Sequence, residues 1–70
     1  MADIEIVKVE QHPNGRLLFD VRLQTNAGKM EFPIAIQEQG TAAKNETEVL
    51  KAALGSAEEL ASSIKARLGS

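Results

Sequence analysis

His12-Pro13-Asn14-Gly15, then Arg16 to Thr25 (RLLFDVRLQT), then Asn26-Ala27-Gly28: this stretch decides the fold. Within it Leu17, Phe19, Val21 and Leu23 alternate with Leu18, Asp20, Arg22 and Gln24. A period of two with one polar face is the pattern of a half-buried β-strand. The flanking segments are turn signals. Asn14-Gly15 tolerates positive φ and suits a hairpin, which Pro13 lengthens slightly. Asn26-Ala27-Gly28 reads as a three-residue connection with Gly28 in the left-handed region.

The run after the second turn repeats the alternation. Met30, Phe32, Ile34 and Ile36 point one way, and Lys29, Glu31, Pro33 and Ala35 the other. Pro33 lacks an amide hydrogen, which places this run at a sheet edge or at a bulge. The run before the first turn is less regular. Ile4 and Ile6 share one face, and under strict alternation Val7 and Val9 share the opposite one. A bulge near Ile6-Val7 would turn all four inward and send Glu5, Lys8 and Glu10 outward. Without it, Val7 and Val9 join Leu18, Pro33 and Ala35 in an apolar patch on the outer face, and such a patch asks for a partner.

Glu38 to Lys44 reads as a polar crossover loop. A helix over 46–68 follows, with Asn45 and Glu48 resembling a capping box. Val49, Leu50, Ala53, Leu54, Ala57, Leu60, Ala61, Ile64 and Leu68 fall within a stripe about 140° wide. The stripe keeps its phase through Gly55-Ser56. However, Gly55 also suits a helix stop, and Ser56-Ala57-Glu58-Glu59 a helix start, so a break there is the alternative. Glu46 and Glu48 near the start and Lys65 and Arg67 near the end complement the helix dipole.

The fold class that follows is α+β. A three-stranded antiparallel meander, at 3–10, 16–25 and 29–37, is packed on one face by the C-terminal helix. The whole of 1–70 forms a single small domain. The expected core is Ile4, Ile6, Leu17, Phe19, Val21, Leu23, Met30, Phe32, Ile34, Ile36, Leu50, Ala53, Leu54, Ala57, Leu60, Ile64 and Leu68.

The order of elements resembles the later part of double-stranded-RNA-binding domains, with Gly40, Lys44 and Ala52-Ala53-Leu54 in the corresponding segment. The leading helix and the paired lysines of that family are missing. The resemblance concerns architecture and carries no functional weight.

Seventy residues make a thin core, so stability is marginal unless something is added. Without cysteine, disulfides and thiolate metal sites are excluded. A partner chain is the expected addition, a homodimer in particular; a monomer of modest stability is the alternative. Formal net charge is −2 and evenly spread. Residues 1–39 carry four basic and six acidic groups, and residues 40–70 carry four of each. Neither a basic arm nor an acidic tail is present. With no signal-peptide pattern and no membrane-length apolar run, the chain is expected to be cytoplasmic and not membrane-bound.

No residue set points to catalysis. His12, the single histidine, sits in a turn without an orienting partner in sequence. Glu46/Glu48 and Glu58/Glu59 occupy diverging helical positions. Ser56 and Ser62-Ser63 lack a nearby base. The glycines form no nucleotide-binding fingerprint. The expectation is a non-enzymatic chain with no cofactor, no metal and no small-molecule substrate, its core offering little room for an apolar pocket.

What remains is protein interaction, through the unpaired edge of the first strand or through the outer-face patch of Val7, Val9, Leu18, Pro33 and Ala35. The alternative is weak nucleic-acid binding by the outward residues Lys8, Arg16, Arg22 and Lys29. That reading is disfavoured because Glu5, Glu10, Asp20 and Glu31 share their face and no aromatic platform is exposed.

Overall fold

The computed structural model describes residues 3–69. Strands β1 (Asp3–Gln11), β2 (Arg16–Thr25) and β3 (Gly28–Gln37) are followed by helix α1 (Ala42–Leu68). The strands form an antiparallel sheet of order β1-β2-β3, the meander that the alternation predicts.

Directly opposed residues in antiparallel strands point to the same face, so the register assigns every side chain. Ile4, Leu23 and Met30 form one row of the inner face, and Ile6, Val21 and Phe32 the next. Leu17 and Ile36 lie in the row nearest the first turn. On the outer face, Glu5, Arg22 and Glu31 lie abreast, and Val7, Asp20 and Pro33 follow.

The first strand does contain a bulge, but it lies at Val9, between Lys8 and Glu10, and not at Ile6-Val7. Ile4 and Ile6 therefore face inward by simple alternation. Val7 faces outward opposite Asp20, and Lys8 faces the helix side opposite Phe19. The bulge restores phase only for the end of the strand, where Gln11 pairs with Leu17.

Both turns are present with altered detail. His12–Gly15 closes with a hydrogen bond from the Gly15 N–H to the His12 carbonyl at 3.1 Å, and only Gly15 takes positive φ, at 84°. The second connection is shorter than expected. Thr25 pairs with Gly28, so Asn26 and Ala27 alone span it, and Gly28, at φ 138°, already belongs to β3. The Thr25 hydroxyl braces this turn, accepting from the Ala27 N–H and donating to the Gly28 carbonyl.

The helix begins earlier than the capping box suggests. Thr41 is the cap, in extended geometry, with its hydroxyl accepting from the Lys44 N–H at 3.2 Å. Its first turn contains no acidic residue, so Glu46 and Glu48 lie too far along to act on the dipole there; Lys65 and Arg67 do occupy the last turn. The helix is continuous through Gly55-Ser56.

The core is smaller than the stripe implies. Leu17, Phe19, Val21, Ile34, Ile36, Val49 and Ala53 are buried, with Ile6 and Phe32 packed against them. Val49 is fully buried although it is not among the expected core residues. By contrast Ile4, Met30, Leu50, Leu54, Ala57, Leu60, Ile64 and Leu68 remain exposed, and Leu23 is half-buried.

The physical reason is the helix's rotation. Its buried residues are Asn45, Val49 and Ala53, one line of i, i+4 neighbours. Leu50 lies about 100° around the helix from Val49. The sheet thus takes one flank of the apolar stripe and leaves its middle open. Length adds to this: 27 helical residues span about 40 Å, whereas a ten-residue strand spans about 33 Å.

Candidate interaction surface

The second half of α1 stands over the hairpin end of the sheet without closing on it. Between them lies an open cleft of about 460 Å³. Leu23, Met30 and Phe32 form its floor, and Ala57, Leu60 and Ile64 its roof. An adjoining cleft of about 310 Å³ runs along the helix, bounded by Ile4, Leu50 and Leu54. Ala57, Leu23 and Phe32 line both, so the two are neighbouring parts of one apolar face.

The expectation of little room for an apolar pocket is corrected here. The larger cleft falls within the ~300–1,000 Å³ usual for small-molecule sites. Its chemistry is different: Ser56 is the one polar residue on its wall among the described residues. Small-molecule sites commonly orient their ligands with a few convergent polar groups, and on this wall Ser56 is alone among the described residues.

These residues are legible in the sequence as apolar, and periodicity assigns them to the core. The sign that they would be left over is the length of the stripe. Six turns of amphipathic helix present more apolar area than a narrow three-stranded sheet can cover.

The shape of the chain carries the same information. Its radius of gyration is 13.9 Å and its extents are 45 × 23 × 17 Å. A compact chain of this length has a radius of gyration of about 11 Å. The accessible surface is 5449 Å², against roughly 4,200 Å² for a compact monomer of 7.5 kDa. The excess is about 1,200 Å².

The outer-face patch is only partly assembled. Val7 and Leu18 are half-buried among their neighbours, and Pro33 and Ala35 are exposed beside them. Val9 sits unpaired in the bulge, 49% exposed.

The four basic residues considered for nucleic acid do not converge. Lys8 lies on the helix side of the sheet, which corrects its outward assignment, and donates to Gln11 at 3.4 Å. Arg22 is surrounded by Glu5 at 3.3 Å, Glu31 at 3.8 Å and Asp20 at 3.9 Å. Arg16 and Lys29 lie at opposite ends of the outer face.

His12 has a carboxylate neighbour after all: its Nε2 is 3.1 Å from Glu10. Both side chains are at least half exposed, and neither lines the apolar clefts. Among the described residues no cluster of His, Cys, Asp or Glu could hold a metal ion. Among them, no helix is long and apolar enough to cross a membrane.

One polar cluster has structural weight. Asn45 is the buried polar residue of α1. Its carbonyl oxygen accepts from the Gln39 N–H at 2.7 Å, and its amide donates to the Glu38 carboxylate at 2.9 Å. The same carboxylate accepts from the Gly40 N–H at 2.9 Å. The Asn45 amide first, and then the Gly40 N–H, hold the Glu38 carboxyl below the usual carboxylate range. The Glu38 N–H in turn donates to the Gly15 carbonyl at 2.7 Å. This network ties the first turn, the end of β3 and the start of α1 together. It fixes the point at which α1 leaves the end of β3.

Comparison with protein-family models, curated proteins and solved structures finds no match.

Proposed function

We propose that this chain is a non-enzymatic protein-interaction module that binds its partner through the apolar face between α1 and the hairpin end of the sheet. The observation that carries this reading is the exposure of the helix's apolar stripe beyond Ala53. Leu54 is 61% exposed, and Leu60 and Ile64 are each 48% exposed, above an open apolar floor. Exposed apolar surface of this extent is unfavourable in a free chain and favourable when covered by a partner.

The outer-face patch of Val7, Val9, Leu18, Pro33 and Ala35 and the free edge of β1 are weaker candidates for the same role. The patch is interrupted by the bulge and has Asp20 between Val7 and Pro33. The nucleic-acid reading is weaker still, because Arg22 is surrounded by acidic groups and Lys8 faces the other side.

The experiment is affinity capture from the native host with two baits, the wild-type chain and a Leu60→Ser/Ile64→Ser variant. Both positions are exposed, so the variant keeps its fold, checked by circular dichroism. Partners lost from the variant support the reading. Equal recovery of every partner by both baits refutes it.

A further inference from the structure

We infer that the occupant of this face is a second copy of the chain, docked antiparallel, helix against helix, about a two-fold axis at Ala61. The inference rests on the interaction-module reading and names its partner.

The first ground is area. A standard stable interface covers about 800 Å² on each partner. The chain exposes about 1,200 Å² more than a compact monomer of its mass, so this fold has enough surplus surface for one such interface.

The second ground is the register of the helix. Leu54, Ala57, Ala61, Ile64 and Leu68 recur at the three- and four-residue spacings of a helical seam, and all five are exposed. Reversing a second helix about Ala61 sets Leu54 opposite Leu68 of the second copy and brings Ala57 within one residue's rise, about 1.5 Å, of its Ile64. Ala61 meets its own equivalent on the axis. Every apolar position then faces an apolar one. The small residues lie at the centre, where closely approaching helices need them, and the leucines at the two ends.

The third ground is charge, and it selects the orientation. Glu58 and Lys65 lie on the same flank of the seam, one on each side of Ala61. They are seven residues apart, about 10.5 Å along the axis. Neither forms an ion pair within the chain among the described residues. Antiparallel docking about Ala61 places Glu58 beside Lys65 of the second copy, and symmetry repeats the pair. Parallel docking turns that flank against the opposite one, which carries Ala53, Leu60 and Arg67, so neither Glu58 nor Lys65 meets a countercharge there. Ala57, Ala61 and Ile64 of the seam also line the cleft, so the paired helix adjoins its mouth.

The test is the mass of the full chain by light scattering and sedimentation across a wide concentration range. The expected result is a species of twice 7.5 kDa that dissociates on dilution. Ala61→Arg puts two like charges on the axis at an exposed position, and is expected to give a folded monomer. Glu58→Lys and Lys65→Glu should each raise the dimer dissociation constant about tenfold, because two contacts change sign at once. The double reversal in one chain should restore most of the loss.

A 7.5 kDa mass at every concentration overturns the inference. So does a dimer that ignores Ala61→Arg and both charge reversals. If the chain is monomeric but still captures a partner in a Leu60- and Ile64-dependent way, the second copy is wrong and the module reading stands. If no such partner is captured either, both fall.

Discussion

Replacing Asn45 by alanine should lower the stability of the fold by about 1 kcal/mol, although Asn45 is not among the residues that line the apolar clefts. The magnitude follows from its two hydrogen bonds. The Gln39 N–H is part-buried, and the Asn45 carbonyl oxygen accepts from it at 2.7 Å. Leaving a shielded donor without an acceptor costs ~1–3 kcal/mol, and partial access of water keeps the cost at the low end of that range. The bond to Glu38 adds little, because that carboxylate is exposed and water replaces the amide. Alanine is the better helix former by about 0.5 kcal/mol, which offsets part of the loss. A domain of this length has about 3.5–10 kcal/mol in total, so the change is a sizeable fraction. The assay is equilibrium urea unfolding followed by circular dichroism, at one fixed protein concentration so that association contributes equally. With a slope near 1 kcal/mol per molar, the midpoint should fall by about 1 M with the slope unchanged. A midpoint that stays put or rises would refute the assigned role of Asn45 at the β3–α1 junction. Asn45→Asp adds a check of sign. It keeps an acceptor for Gln39 but brings a second carboxylate against Glu38. Mutual repulsion raises the pKa values of that pair in the folded state, so this variant should regain stability as the pH falls.

Two further outcomes are expected. Gly55→Ala should raise the melting temperature, by about 1 kcal/mol in stability, because Gly55 is helical and a Cβ there meets nothing within 4 Å; a lowered melting temperature would contradict an uninterrupted helix. The Glu38 carboxyl is held low in the folded state, so its contribution is full above the unfolded pKa and is lost as the pH falls through the folded one. Wild type should therefore lose more stability on acidification than Glu38→Gln, measured as urea midpoints at neutral and acid pH, and parallel losses would argue against the network.

Much of this architecture is written locally in the chain. Leu17, Phe19, Val21 and Leu23 alternate because a strand turns its side chains over at every residue, so the inner face of β2 can be named from the order of its residues. Gly15 and Gly28 mark the turns because positive φ is easy only without a Cβ. The phase of the stripe through Gly55-Ser56 correctly predicts one helix, because a helix interrupted there would be free to lose it. These are properties of single elements, and periodicity reports them directly.

What the tertiary structure alone decided concerns pairs of elements. Periodicity identifies the apolar side of α1 but not the flank that will meet the sheet. That was settled by the β3–α1 junction, where Thr41 caps the helix and Asn45, a polar residue with no place in an apolar pattern, is buried to hold Gln39 and Glu38. The bulge at Val9 likewise depends on how β1 meets β2 near the first turn, and it determined that Lys8 faces the helix side and Val7 the outside. The candidate interaction surface follows from that crossing. Leu54, Leu60 and Ile64 read as core in the sequence because they are apolar and in phase. They are exposed because the helix reaches the sheet on its Val49 flank and outruns the area that three strands can cover. Local chemistry specified which residues are apolar and in phase, whereas the packing of helix on sheet determined which of them are buried and which stay exposed.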